Sequence, residues 1–113
     1  MAEIHLKFKR HSTQHLIFFV PTEKLNGNSL ETAQSIKFSV QDSDKEEEII
    51  SYTDQQAPVN VLDEARVAVI LEGDFYNNLP PSVYSYDLWV VDADGQSIDA
   101  SDGLIRIMPG SGI

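Results

Sequence analysis

The sequence predicts a single all-β domain, built as an antiparallel β-sandwich of seven or eight strands. Apolar residues recur at every second position in short segments, which is the period of a strand with one buried face. Turn-forming residues separate these segments about every ten residues, and no segment has the period of a helix. The chain has 113 residues, 42% of them hydrophobic, so it is large enough to form one core without metals or crosslinks.

The longest strand is predicted just before the aspartate-rich turn at residues 92–95. Pro80 and Pro81 cannot donate ladder hydrogen bonds, and they mark the start of this strand. The turn predicts a hairpin to the next strand. Four large side chains share one face of the strand and are expected in the core: Tyr84, Tyr86, Leu88 and Val90.

Alternation also predicts an N-terminal strand at residues 3–10, with one face buried and one solvated. Residues 15–20 are apolar at consecutive positions and stop at Pro21. This pattern predicts a second strand that is covered on both sides. The segment 21–34 contains a strong turn and is too short for a helix, so it is predicted to be a loop.

The remaining strands are predicted from shorter patterns of the same kind. They lie at residues 36–40, 49–53, 59–61, 65–72, 97–100 and 104–108. Asp102 and Gly103 predict a turn between the last two strands. We expect the domain to span residues 1–109, followed by a flexible end at residues 110–113.

The composition argues against several classes of partner and chemistry. A net charge of −10 opposes binding to the phosphate backbone of nucleic acid. The absence of cysteine excludes disulfide scaffolds, thiolate zinc sites and cysteine nucleophiles. No segment approaches the ~20 apolar residues of a membrane span, and no apolar run of signal-peptide length opens the chain. We therefore expect a protein made soluble in the cytoplasm, with neither a membrane nor a nucleic-acid partner.

Four aspartates near the C-terminus raise the question of a calcium site, because this cation selects hard carboxylate oxygens. They are Asp92, Asp94, Asp99 and Asp102. Their spacing does not match an EF-hand loop, since Gly95 comes one ligand too early. We therefore favour solvated hairpin-turn acids over a metal site.

Three histidines in the first part of the chain raise the question of zinc: His5, His11 and His15. The i,i+4 spacing of the last two does not bring imidazoles together on strands or in a polar loop, so solvated histidines are favoured. No serine stands in a nucleophile-elbow context. The sequence thus predicts a protein that is not an enzyme and has no catalytic residues, no metal and no cofactor.

The longest strand also predicts an outward apolar face. If its four alternating residues point inward, the residues between them point outward, and the same logic applies to the other strands. Outward apolar groups on neighbouring strands form a patch that is typical of contact with another protein. The alternative is that the loop at 21–34 covers them. The expected partner-binding residues are Trp89, Val91, Ile70 and Phe19, with Ile17 as the alternative to Phe19 on its strand.

Leu79 stands five residues before Tyr84, and this spacing resembles the tyrosine corner of fibronectin-type and immunoglobulin-type sandwiches. In that motif the tyrosine hydroxyl returns to the backbone at the sheet edge. An ordinary core tyrosine is the alternative.

The order of these motifs resembles a family of small phage-encoded immunoglobulin-like β-sandwich domains found in virion tail, baseplate and decoration-type proteins. The shared pattern is a leucine before an alternating strand, an aliphatic strand, a leucine before a tyrosine-x-tyrosine-aspartate strand, and an aspartate-glycine hairpin. In this chain the pieces are Leu30, residues 36–40, residues 67–71, Leu79, residues 84–88, Asp94-Gly95 and residues 103–107. The resemblance covers roughly residues 4–108.

The resemblance implies a non-enzymatic structural protein of the virion. In the tail proteins further domains commonly follow the sandwich, whereas this chain ends soon after its last strand, which favours an accessory virion protein. A capsid decoration or cement protein that binds coat subunits in many copies is the first expectation. The alternatives are a small tail or baseplate component, or a carbohydrate- or receptor-binding module that uses Tyr52, Tyr76 and Trp89. The N-terminal strand is expected to be free to pair at the sheet edge of a partner.

Overall fold

The computed structural model of the protein describes residues 4–42, 47–56 and 58–109. The predicted flexible end at residues 110–113 lies outside the described residues. Within the described ranges the protein is an all-β sandwich of eight strands, as the sequence predicts. The strands are β1 Ile4–Lys9, β2 Gln14–Phe19, β3 Ser35–Asp42, β4 Glu48–Thr53, β5 Val59–Val61, β6 Arg66–Leu71, β7 Ser82–Val91 and β8 Ser97–Met108.

The strands form a five-stranded sheet in the order β1-β8-β7-β3-β4 and a three-stranded sheet in the order β2-β6-β5. This arrangement is immunoglobulin-like, because hairpin-connected strands β7 and β8 lie centrally beside β3, while β2, β5 and β6 form the opposite sheet. One strand pair departs from the predicted antiparallel pattern: β1 runs parallel to β8. These two strands come from opposite parts of the chain, so no tight turn has to join them.

The core lies between the two sheets and is centred on β7. All four alternating residues of this strand are buried, as predicted, with at most 4% of any of them exposed. The Phe38 ring on β3 lies with its centroid 6.0 Å from those of Phe18 on β2 and Tyr86 on β7. This aromatic cluster joins the two sheets through large buried surfaces.

The segment between β2 and β3 closes one end of the sandwich. It contains two short 3-10 turns, Thr22–Leu25 and Leu30–Thr32, each of which buries a leucine. The Lys24 ammonium donates a hydrogen bond to the carbonyl of Ala100 on β8 at 3.2 Å. The loop is therefore packed over the end of the core and does not cover the outer faces of the sheets.

A third 3-10 turn, Gly73–Tyr76, precedes β7 and buries Phe75 and Tyr76. Their rings meet edge to face with centroids 5.0 Å apart. The Tyr76 hydroxyl donates to the carbonyl of Ser12 at 2.5 Å, which ties this turn to the link between β1 and β2. Burial raises the pKa of Tyr76, although its hydrogen bond to Ser12 opposes the shift.

The predicted tyrosine corner is present. The Tyr84 hydroxyl donates a hydrogen bond to the carbonyl of Pro80, four residues earlier. Burial is the main cause that raises the pKa of Tyr84, and the negative charge of Asp42 adds to the shift. The bond satisfies a polar group where the chain enters β7.

The predicted turn at Asp102 and Gly103 is wrong, since both residues lie inside the continuous strand β8. The pairing of β7 with β8 shifts register between Leu88 and Trp89, where Ala100 is an extra residue in β8. Such a bulge twists a strand without ending it, and this lets polar and glycine residues stay in the ladder.

Candidate binding surfaces

The two outer faces of the sandwich differ in their exposed apolar side chains. Most of the large exposed apolar residues belong to β2, or to β5 and the residue that follows it, in the three-stranded sheet, and one lies on the five-stranded sheet. Among the described residues they are Ile17, Phe19, Val61, Leu62 and Trp89. Exposed apolar surface that is concentrated in this way is typical of a contact site.

The outer face of the three-stranded sheet is apolar along β2 and β6. Phe19 is 69% exposed and Ile17 is 59% exposed. Ile17 lies opposite Ala68 in the ladder, and Ile70 follows two residues later on the same side of β6. We call these four residues, Ile17, Phe19, Ala68 and Ile70, the apolar face.

The prediction that β2 is covered on both sides is wrong. Its inward residues Leu16 and Phe18 pack against the core, but nothing in the described chain lies over Ile17 and Phe19. A sandwich has only one interior, and the loop that follows β2 closes the end instead. An uninterrupted apolar run therefore marks here a strand with one buried and one exposed apolar side.

The four predicted contact residues all lie outward, but they do not form one patch. Trp89 and Val91 are on β7, and therefore on the outer face of the five-stranded sheet, with Trp89 40% exposed. Phe19 and Ile70 are on the other sheet, on the opposite side of the molecule. The sequence gave the outward direction of each side chain but could not assign the strands to sheets.

Around Trp89 the outer face of the five-stranded sheet is polar. The Gln41 amide donates to the Ser39 hydroxyl at 2.7 Å and to the Asp87 carboxylate at 3.1 Å, and its oxygen accepts from Ser85 at 3.2 Å. These bonds cross from β3 to β7 and satisfy side chains that are partly buried. They line an open groove of about 580 Å³, together with Glu48, Asp102 and Leu104.

Three aspartates meet beside this groove. Carboxylate oxygens of Asp87, Asp99 and Asp102 all lie within 4.8 Å of one another. The β8 bulge between Asp99 and Asp102 lets both residues lie on the same side of the sheet, opposite Trp89 and Asp87 of β7. The sequence had grouped the last two aspartates with the hairpin acids and had missed Asp87, because neighbours across a ladder leave no signal in sequence spacing.

Mutual repulsion and burial perturb these carboxyls. Burial, a hydrogen bond from Asp102 and the charge of Asp102 raise the pKa of Asp99 to about 6, while Lys24 opposes the shift. Burial followed by the charge of Asp102 raises the pKa of Asp87, and hydrogen bonds from Gln41 and Trp89 counteract this. Oxygen ligands at these distances suit a hard cation, but exposed acidic groups commonly cluster without one.

Asp92 and Asp94 have a different role, in the hairpin between β7 and β8. The Asp92 carboxylate accepts hydrogen bonds from the backbone N–H groups of Asp94 and Gln96, each at 2.9 Å. These bonds, above all the one from Gln96, and a further bond from the Asn26 side chain hold the pKa of Asp92 below its ordinary value. The preference for turn acids over a metal site therefore fits these two residues.

The histidines do not converge on a metal-binding geometry in the part of the chain that the structure describes. His15 lies on the outer side of β2, and His11 lies in the link before β2, beside the Arg10 guanidinium and the Tyr76 ring. The His5 side chain lies outside the described residues.

The proposed carbohydrate residues do not form an aromatic platform. Tyr76 is fully buried, and the Tyr52 ring packs against Phe75 with centroids 6.3 Å apart. Only Trp89 of the three presents its ring to solvent. A stacking site made from all three rings is therefore excluded.

The comparisons with known proteins define the class of protein as a β-sandwich and go no further. No family model and no curated protein matches the chain. A crystal structure of CopC from Methylosinus trichosporium OB3b is similar, with a TM-score of 0.51 and 12% sequence identity over 98% of this chain and 90% of that one. At this identity the likeness shows the fold alone, and it lends no support to a virion role. None of the described helices has the length and hydropathy to span a bilayer.

Proposed function

We propose that the protein is a non-enzymatic binding module that acts by contact, with the apolar face of its three-stranded sheet as the main contact surface. The observation that carries the proposal is the exposure of Phe19 and Ile17, two large apolar side chains on one side of β2. Covering them in an interface would contribute up to about 1.5–3 kcal/mol for each side chain. Aromatic and aliphatic anchors of this kind dominate protein–protein binding energies.

A second contact surface is formed by Trp89 and Val91 on the opposite side of the sandwich. Two contact surfaces on opposite sides allow one copy to bridge two neighbours. Many modest bridging contacts then add up to a stable assembly through multivalency. The separation of the four residues into two faces thus supports a bridging protein better than a single patch would.

The more specific proposal is a virion protein that binds coat or tail subunits in many copies on the particle. Its support is the resemblance in the order of strand and turn motifs to phage-encoded sandwich domains. A capsid decoration or cement protein is the first form of this proposal, and a small tail or baseplate component is the second. The high negative charge is compatible with both placements, since neither requires contact with DNA.

Antibody labelling of particles purified from cells that carry the gene tests the placement. Label on the capsid faces or vertices would support a decoration protein, and label at the tail tip would support a baseplate component. Particles that assemble normally and carry no label would contradict the virion role. That result would leave the contact surfaces to be tested separately.

Substitutions test the contact surfaces on the assembled target. Phe19→Ser is expected to weaken binding by about tenfold or more, because a large anchor loses its apolar contact. Leu62→Ser is the matched control, since Leu62 is 47% exposed but lies outside the apolar face. Trp89→Ala tests the second surface. Equal binding by the Phe19→Ser variant and the parent protein would rule out the apolar face as the interface.

A glycan array separates the proposal from a carbohydrate-binding module. We expect no sugar to bind, because Trp89 is the one exposed ring of the three candidates. A sugar that binds the parent protein and not the Trp89→Ala variant would favour the carbohydrate function.

A further inference from the structure

The four edge strands of the sandwich differ in how they are protected against pairing with other chains. Edge strands usually carry charges, proline, bulges or a very short length, because their unpaired backbone groups invite a further strand. Among the described residues, β1 and β4 are the edges of the five-stranded sheet, and β2 and β5 are the edges of the three-stranded sheet.

Three of these edges have such protection. Exposed Lys7 and Lys9 lie on β1. Glu48 begins β4, where it forms an ion pair with Lys37 at 3.1 Å beside a register shift. The strand β5 has three residues and follows Pro58. The N-terminal strand that the sequence offered for partner pairing is thus hydrogen-bonded to β8 on one side and guarded by lysines.

The edge of β2 lacks every one of these devices. Its six residues, QHLIFF, contain no Asp, Glu, Lys, Arg or Pro, in a chain of which 23% is charged. Its ladder with β6 is regular over all six residues, without a bulge. The strand is flat, aromatic and β-branched, and its second edge has no strand partner within the described chain. This combination indicates a pairing edge.

We propose that β2 pairs antiparallel with β2 of a second copy of this chain, which joins two three-stranded sheets into one six-stranded sheet. Only registers that keep outward residues outward preserve both cores. One such register places Ile17 opposite Ile17 of the second copy and His15 opposite Phe19. The exposed side chains then form cross-strand pairs, which stabilise antiparallel sheets.

The charges at the two ends of β2 favour a second copy as the occupant. The chain that enters β2 carries Lys9, Arg10 and His11. At the other end of β2, Phe19 shares a surface depression with Glu31 and Glu64, while Asp63 there is paired with Arg66 at 2.7 Å. An antiparallel two-fold arrangement sets the basic end of each copy beside the acidic end of the other, twice.

The pairing goes beyond the proposed function and does not depend on it. Edge pairing uses the backbone of β2, so the outer side of the joined sheet stays available. The apolar faces of two copies would become continuous across the two-fold axis. A dimer would therefore offer a partner about twice the apolar surface that one copy presents.

The oligomeric state of the purified protein, measured by sedimentation velocity and native mass spectrometry, tests the proposal. We expect a dimer that dissociates on dilution. The Ile17→Lys variant is expected to weaken dimerisation about tenfold or more, because a lysine on an edge strand opposes pairing. The Leu62→Lys variant adds the same charge away from the β2 edge and is expected to remain dimeric. A parent protein that is monomeric at its highest soluble concentration would overturn the proposal.

A charge-reversal experiment keeps the proposal testable if Ile17→Lys impairs folding. The Lys9→Glu and Glu31→Lys variants each place like charges at both ends of a homodimer, so each alone is expected to dimerise weakly. A mixture of the two restores opposite charges at both ends, and we expect heterodimers to exceed either homodimer. Dimers that show no preference for the mixed pair would contradict antiparallel β2 pairing.

Discussion

The outer faces of the two sheets lie on opposite sides of one core and carry different chemistry. On the three-stranded sheet, Phe19 and Ile17 stand exposed with no hydrogen-bonding side chain between them. On the five-stranded sheet, Gln41 connects Ser39, Ser85 and Asp87 by hydrogen bonds. Hydrogen bonds satisfy the polar face within the protein itself, whereas the apolar face gains stability only when something covers it.

This contrast separates two contributions to the free energy of unfolding. Side chains between the sheets contribute by burial, and polar side chains on the five-stranded sheet contribute by hydrogen bonding. Side chains of the apolar face contribute little to the isolated domain and are available for binding. Each of the following predictions tests one side of this contrast.

The largest expected effect compares two phenylalanines on either side of the three-stranded sheet. Phe38→Ala removes a fully buried ring between the sheets and is expected to lower the free energy of unfolding by about 3–5 kcal/mol. Phe19→Ala is expected to change it by no more than about 0.5 kcal/mol, because that ring is mostly exposed. Urea denaturation measures both. A similar loss for the two variants would show that the apolar face is covered in the isolated domain.

A smaller effect is expected on the polar face. Gln41→Ala removes the hydrogen bonds that join β3 to β7, and we expect a loss of about 1 kcal/mol in the free energy of unfolding. Ile17→Thr keeps a β-branched side chain on the apolar face and is the matched control, with an expected change within about 0.5 kcal/mol. If Gln41→Ala were neutral, water would serve the polar face as well as the network does.

The acidic cluster predicts a pH dependence with a definite sign. The pKa of Asp99 is about 6 in the folded protein against an ordinary 3.8, so folding favours the protonated form. The contribution of this group is therefore most favourable below about pH 4 and is lost as the pH rises through about 6. Asp99→Asn is expected to flatten the stability profile over this range, as measured by thermal unfolding at a series of pH values.

Asp92 provides the opposite sign and serves as the control for that experiment. Its hydrogen bonds lower its pKa, so its contribution is present at neutral pH and is lost as the pH falls below its ordinary range. Asp92→Asn should therefore alter the acid side of the profile and leave the region near pH 6 unchanged. A profile that stays the same in the Asp99→Asn variant would remove the repulsion assigned to the acidic cluster.

The smallest effect is expected at Trp89. Trp89→Ala should change the free energy of unfolding by about 0.5 kcal/mol or less, because the ring is exposed and contributes little to the core. Since this is the one tryptophan of the chain, acrylamide quenching of the parent protein reports its exposure directly. Weak quenching, or unfolding of the variant, would place Trp89 in the core.

Much of the fold could be predicted from local patterns. Each strand appears at or within a few residues of its predicted position, and the buried side of β7 is correct residue by residue. The errors arise where neighbours outside the local sequence decide. Asp102 and Gly103 look like a turn, but pairing with β7 holds them in a strand. The outward residues of β2 look buried, but no layer lies over them.

The candidate surfaces were less predictable than the fold. Alternation gave the outward direction of Trp89, Val91, Ile70 and Phe19, but it does not say which sheet a strand joins. The meeting of Asp87 with Asp99 and Asp102 depends on a bulge that only the paired strands reveal. The unprotected edge of β2 also becomes visible only once the order of the strands is known.

The sequence by itself determined the all-β class, the inward residues of each strand and the tyrosine corner, because these follow from period-two sterics and short-range hydrogen bonding. The tertiary structure alone decided the parallel pairing of β1 with β8, the separation of the apolar residues onto two faces and the identity of the open edge. These features depend on contacts between distant parts of the chain, and such contacts are chosen by the packing of the whole core.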